Sequence, residues 1–252
     1  MPQRAHLITG GFPPGAPAGH DHDYARLRLL TLLAEQNIPA SVGNDFGDVE
    51  KWLPLGRLLF TYVAGPYPDA AQSAAIQSWL RGGGHWLGLH GTSGGRAERV
   101  EGIRNRRTVK TEHHAVLGSF FLTHPPLCKF RVDVKADHPI TKGIGTSFEV
   151  EDEPYFIELQ HPSDTQILLT ANYGTNGNWP VTEALYGKDT SLQPDGKTRV
   201  LGYTRTVGAG AVTYFALGHC TNAPVYRGPW ENEAFTQLLR NAIGFAMGSA
   251  GS

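Results

Sequence analysis

A chain of 252 residues with 40% hydrophobic and 18% charged residues can bury a sizeable core and is too apolar to remain disordered. Its 22 Lys and Arg against 23 Asp and Glu leave a formal net charge of -1, so no overall field draws nucleic acid or an anionic membrane, and neither is expected as a partner. Two cysteines, Cys128 and Cys220, are too few for a disulfide scaffold and lack metal-ligand spacing. MPQRAHLITGG carries no apolar leader region and no run is long enough to cross a bilayer, so a cytoplasmic protein is expected.

In chain order, RAHLIT (4–9) reads as a short buried strand that runs into the glycine- and proline-rich loop GGFPPGAPAGHDHD. DYARLRLLTLLAEQN follows as a helix with Leu27, Leu30 and Leu33 at helical spacing. PASVGN predicts a second strand. GRLLFTYVA (56–64) is nearly continuously apolar, as a strand covered on both faces requires. PDAAQSAAIQSWLRGGG opens on a proline and an aspartate suited to a helix start, places Ala71, Ala75, Ile76 and Trp79 on one stripe, and stops at glycine. HWLGLHG is the next strand. This repetition predicts an α/β fold, one domain over residues 1–252, with a mostly parallel open sheet flanked by helices.

The basic stretch RVEGIRNRRTVK (99–110) reads as a solvated loop or helix face, with gating of a substrate as the alternative. From Cys128 the texture is β-rich: CKFRVDV, EPYFIEL, TQILLTANY and VTEALYG are strand candidates. GYTRTVGAGAVTYFALGHC reads as a hairpin leading into a core strand at Ala211 to Leu217. WENEAFTQLLRNAIGFAMG closes as an amphipathic helix on Phe235, Leu238, Leu239 and Ile243.

Two histidines end apolar runs: His90 in HWLGLHG and His219 in AVTYFALGH. In an open parallel sheet the carboxyl ends of the strands gather the ligand-binding loops, and the loop carrying His20, Asp21 and His22 opens on that same edge. Each has a plainer reading: a histidine satisfied by backbone, and Asp21 as a helix cap. KTEHHAVLGSFFLTHPP supplies Glu112, His113, His114 and His124, groups that shuttle protons near neutrality or bind metals, but not at a standard zinc spacing. EVEDEPYFI concentrates Glu149, Glu151, Asp152 and Glu153, either a solvated turn or the source of a carboxylate for the pocket. GTSGG (91–95) does not make Ser93 a hydrolase nucleophile, and no GxGxxG or P-loop pattern is present.

LRGGGHWLGLHGTSGG, VLGSFFLTHPP, DHPITKGIGTSFEVEDEPYF, GAGAVTYFALGHC and NAIGFAMG, in this order over nearly the whole chain, resemble the ThuA-like family of trehalose utilisation. The resemblance implies a flavodoxin-like, class I glutamine amidotransferase-like fold with β-rich embellishments. It directs attention to His90, Gly118, His124, Asp152, Glu153, Tyr155, Gly218 and His219. Where amidotransferases carry their cysteine nucleophile this chain has Leu89, His90 and Gly91, so a cysteine-dependent glutaminase is not expected.

The leading expectation is an enzyme of sugar or 3-keto-glycoside chemistry, a hydrolase or isomerase, with His90, His219, Glu153 and Asp152 as general acid/base groups. His20, His22, His114, His124, Tyr155 and Trp86 are the candidate substrate contacts, and Trp179 and Tyr226 further aromatic surfaces. No cofactor signature is present; a divalent metal is the one cofactor the histidine pool His20, His22, His114 and His219 could hold, which would make a metal-assisted sugar hydrolase. A non-catalytic carbohydrate-binding or assembly protein is the third reading. The expected partner is a small carbohydrate or derivative, with homo-oligomerisation left open.

Overall fold

The structure is a computed structural model that describes residues 1–11, 19–104, 106–174, 178–180 and 187–248. The strands are β1 (Ala5–Gly11), β2 (Ala40–Gly43), β3 (Leu58–Ala64), β4 (His85–Leu89), β5 (Arg96–Glu98), β6 (Arg107–Val109), β7 (Ser119–Thr123) and β8 (Cys128–Val134). They continue with β9 (Ser147–Asp152), β10 (Phe156–Leu159), β11 (Gln166–Asn172), β12 (Thr198–Val207), β13 (Gly210–Phe215), β14 (Thr221–Asn222) and β15 (Val225–Tyr226). The helices are α1 (His22–Glu35), α2 (Val49–Trp52), α3 (Ala70–Arg81), α4 (Glu112–Leu117) and α5 (Glu233–Met247).

A nine-stranded sheet runs β2-β1-β3-β4-β13-β12-β11-β8-β9. The pairs from β2 to β13 are all parallel. The pairs from β13 to β9 are antiparallel, so β11 and β9 point with the parallel set and only β12 and β8 against it. The ends of β1, β3, β4, β13 and β9 therefore open on one edge. The expected α/β architecture, a mostly parallel sheet flanked by helices, is the one observed. β7 and β10 form a separate antiparallel pair, as do β5 and β6, and β14 and β15.

Leu7, Ile8, Leu59, Phe60, Leu87 and Leu89 are buried at the middle of the parallel half, and removing each from water contributes about 1.5–3 kcal/mol. In α1 the core-facing stripe is Ala25, Leu29, Leu32 and Leu33, not the leucine triplet expected from sequence: Leu27 is exposed and Leu30 half-buried. Steps of four, three and one residue hold one face of a helix, whereas repeated steps of three drift off it. In α3 the buried face is Ser73, Ile76, Trp79 and Leu80, with Ala71 outside it. Asp69 and Gln72 form a reciprocal cap at its start. α5 buries the four apolar residues expected, Phe235, Leu238, Leu239 and Ile243.

The EPYFIEL strand begins only at Phe156. Of the basic stretch 99–110, residues 99–104 form turns and bends rather than a helix, and Arg107–Val109 form β6. The VTEALYG candidate lies, but for Gly187, outside the described residues, as does much of the first glycine-rich loop. No helix among the described residues is long and apolar enough to cross a membrane.

Candidate functional site

His90 follows directly on β4 and starts a tight 3-10 turn, His90–Ser93, with φ at +43°. A non-glycine residue in that left-handed region costs about 1–2 kcal/mol, so the surroundings hold the turn in place. Gly91 makes the close approach possible, because a Cβ there would lie 2.4 Å from the Val63 carbonyl oxygen on β3. The His90 carbonyl accepts from the Tyr214 hydroxyl at 2.8 Å. Its Nδ1 lies 2.8 Å from the Ala216 carbonyl oxygen, which can only accept, so Nδ1 carries the proton and Nε2 presents a lone pair. That Nε2 is buried, has no hydrogen-bond partner among the described residues, and faces Glu153 Oε2 at 3.7 Å. The ring stacks on Tyr155 with centres 3.8 Å apart.

His219 follows β13 through Gly218, whose carbonyl accepts from Tyr62 at 2.8 Å and Trp230 at 2.7 Å. Its Nδ1 is 3.1 Å from Glu153 Oε2. The third contribution comes from the end of β9, at the far edge of the sheet. Successive residues of an extended strand point to opposite sides, and Asp152 and Glu153 divide accordingly. The buried Asp152 carboxylate accepts backbone N–H groups of Gly218 at 2.8 Å, His219 at 3.1 Å and Glu153 at 2.8 Å. Burial pushes its pKa up to about 7 against the pull of those donors. Glu153 instead faces the imidazoles. Burial acts to raise its pKa, but His219 and His90 beside it prevail and hold the carboxyl well below the usual carboxylate range. His124 Nδ1 reaches its other oxygen at 3.2 Å.

Residues just ahead of α1 complete the cluster. Asp21 caps α1 by accepting from Tyr24 N at 3.0 Å. It also pairs with Arg227 at 2.6 Å, and its own N–H donates to the Cys220 carbonyl at 2.8 Å. This stitching sets His20 with its ring centre 5.0 Å from that of His90 and 5.1 Å from that of His219. Burial, and then the neighbouring imidazoles, lower the His20 pKa well below its ordinary value. His22 lies behind, 5.8 Å from the His20 ring, with its pKa lowered by burial to about 4.

Thus the sequence candidates His20, His90, His124, Glu153, Tyr155 and His219 meet at one strand edge, with His22 and the backbone-engaged Asp152 just behind. His114 stands apart. Its Nε2 is 3.0 Å from the Gly94 carbonyl, its Nδ1 accepts from Thr111 N, and burial lowers its pKa to about 4. Trp86 is fully buried within β4 and donates its indole N–H to Thr61 at 2.9 Å. Trp179 is exposed. Tyr226 lies 5.9 Å from the His219 ring and donates to the Glu151 carbonyl.

Sequence reasoning missed Tyr62 and Trp230, which support the cluster: the Tyr62 ring lies 5.9 Å from His20 and 6.4 Å from His90, and Trp230 packs edge-on against Tyr62. Their signal was weak, one hidden in an apolar strand and the other at the head of the segment read as the closing helix, where it sits in a 3-10 turn, Gly228–Glu231. A cleft of about 740 Å³ lies beside this edge, lined by Tyr67, Asp69, Arg96, Arg106 and Glu112. Tyr67 links the two by donating to the Gly91 carbonyl at 3.2 Å. Chemically, a carboxylate between imidazoles can take and return protons. Nitrogen or oxygen atoms of His20, His90, Glu153 and His219 all lie within 4.8 Å of one another, close enough to share a metal ion. Of the histidine pool named from sequence, His20 and His219 belong to that set, and His22 and His114 do not.

Histidine and carboxylate side chains gathered at the carboxyl ends of a mostly parallel sheet, with a strained turn after an inner strand, go with a protein of the class I glutamine amidotransferase-like fold in which histidine occupies the turn. The structure of a GMP synthase component from Thermoplasma acidophilum has this fold, at TM-score 0.51 and 12% identity over 98% of this chain and 95% of that one. The profile of the ThuA family, described as trehalose utilisation, matches residues 32–246, and the chain belongs to that family. Similar solved structures include a ThuA-like protein from Bacteroides uniformis, with TM-score 0.67 and 17% identity over 97% of this chain and 91% of that one. Another, from Parabacteroides merdae, gives TM-score 0.64 and 16% identity over 98% and 91%. No curated protein matches the sequence.

Proposed function

We propose that the protein is a carbohydrate-active enzyme that moves protons on a sugar or 3-keto-glycoside, with His90, His219 and Glu153 as the proton-handling groups. The observation that carries this reading is the Glu153 carboxylate set 3.1 Å from His219 Nδ1 and 3.7 Å from His90 Nε2 at the strand edge. Membership of a trehalose-utilisation family supplies the substrate class.

A ketone on a sugar ring acidifies the neighbouring C–H. A carboxylate held anionic accepts that proton while an imidazole or other electrophile steadies the enolate oxygen. Return of the proton to another carbon isomerises the sugar; expulsion of the glycosidic oxygen, followed by addition of water, completes hydrolysis. Asp152 takes the part of a positioning residue in this scheme, because its carboxylate is spent on backbone N–H groups.

The test is a mass-resolved turnover assay of the purified protein against trehalose, glucosides and their 3-keto forms. Product formation that falls by about 100-fold or more in Glu153→Gln and His90→Ala supports the proposal. Sugar affinity without product would place the protein among carbohydrate-binding modules.

A further inference from the structure

We infer that His20, His90, His219 and Glu153 form a binding site for one divalent first-row transition-metal ion of the zinc type. With metal–nitrogen bonds of about 2.1 Å and tetrahedral angles, three imidazoles aimed at one ion have ring centres about 5.2 Å apart. The observed separations are 5.0 Å for His20 and His90, 5.1 Å for His20 and His219, and 5.6 Å for His90 and His219. One donor atom from each residue, with a Glu153 oxygen as the fourth, lies within 4.8 Å of every other, so small side-chain rotations close the set on a single ion.

The surroundings are those of a ligand shell. His90 is fully buried, its Nδ1 is committed to the Ala216 carbonyl, and its Nε2 is aimed into the cluster with no hydrogen-bond partner among the described residues. A second bond from the far ring nitrogen is how metal-ligating histidines are oriented. Asp152 braces two ligands at once by accepting the N–H groups of His219 and Glu153. His124 Nδ1, in hydrogen-bond contact with the Pro125 carbonyl at 3.0 Å, lies 3.2 Å from the other Glu153 oxygen. Three imidazoles and one carboxylate favour zinc, cobalt, nickel or iron over magnesium and calcium, which prefer all-oxygen shells.

Bound there, the ion would polarise a substrate oxygen, and to that extent the inference rests on the sugar reading; its binding does not. The experiment therefore reads binding with no sugar present. The full chain is stripped with chelator and titrated with Co2+, followed by its visible d–d absorption, and then with Zn2+ by competition. We expect about one equivalent with tetrahedral-type absorption. Affinity should fall at least tenfold in His219→Gln and in Glu153→Gln, and persist in His161→Gln, a histidine outside the cluster. Circular dichroism of each variant separates lost binding from lost fold, and the pair of single-ligand variants guards against one failing to fold. Absence of the absorption, or binding unchanged in both folded ligand variants, overturns the inference. Tight binding without turnover leaves the metal site standing and removes the sugar reading; turnover by a protein that binds neither Co2+ nor Zn2+ does the reverse.

Discussion

The Asp152 carboxylate accepts the backbone N–H of His219 at 3.1 Å and that of Gly218 at 2.8 Å, tying the far edge of the sheet to the end of β13. This link places Glu153 beside His219. Asp152→Asn keeps the volume but turns an amide donor toward backbone donors, leaving a buried N–H without its acceptor. We expect a loss of about 1–3 kcal/mol in urea unfolding. Turnover should fall with it, because the Glu153 and His219 pair loses its common anchor. An unchanged unfolding midpoint would mean that the link carries no load.

His90 sits at φ +43°, a conformation that glycine adopts without penalty. His90→Gly should therefore be more stable than His90→Ala by about 1 kcal/mol, while both lack turnover. Thermal melts of the pair read this difference. Equal stability would show that the turn relaxes once the imidazole is gone.

His85 and His114 are buried, and burial lowers the pKa of each to about 4 from an ordinary value of 6.5. Between those values the unfolded chain binds protons that the folded chain does not, so stability rises with pH and is lost as pH falls from 6.5 toward 4. Chemical denaturation across that window should show the decline, with little change above neutrality from these groups. In His85→Gln the slope should shrink by up to one proton, about 1.4 kcal/mol per pH unit.

Cys220 is fully buried, and burial raises its thiol pKa to about 11, whereas Cys128 is only partly covered. A buried neutral thiol is a poor nucleophile. Iodoacetamide under native conditions should label Cys128 well before Cys220 and leave turnover intact, as read by peptide mass spectrometry and the sugar assay. Rapid inactivation with Cys220 labelled would point back to thiol chemistry on this fold.

The strand-and-helix order and the histidines at two strand ends were legible because each rests on local pattern: an apolar run, a glycine turn, a capping aspartate. The leucine triplet of α1 misled at Leu27, since which face of a helix is buried depends on what packs against it, and there it is Ala25, Leu29, Leu32 and Leu33. The adjacent histidines of α4 read in sequence only as groups able to shuttle protons or bind a metal, behind His90. They are buried away from the cluster, and a residue type alone says nothing of its neighbours. Tyr62 was hidden for the same reason, one more aromatic in an apolar strand.

By itself the sequence determined the α/β class, the edge on which ligand-binding loops gather, and the absence of a cysteine at the turn after β4, since these follow from periodicity and residue identity. Only the tertiary structure decided which acid works with the histidines. Asp152 and Glu153 are neighbours in sequence, but the pleat turns one toward backbone N–H groups and the other toward imidazoles contributed by strands far away in the chain. Contacts between segments so distant arise from the sheet order, which no local pattern records.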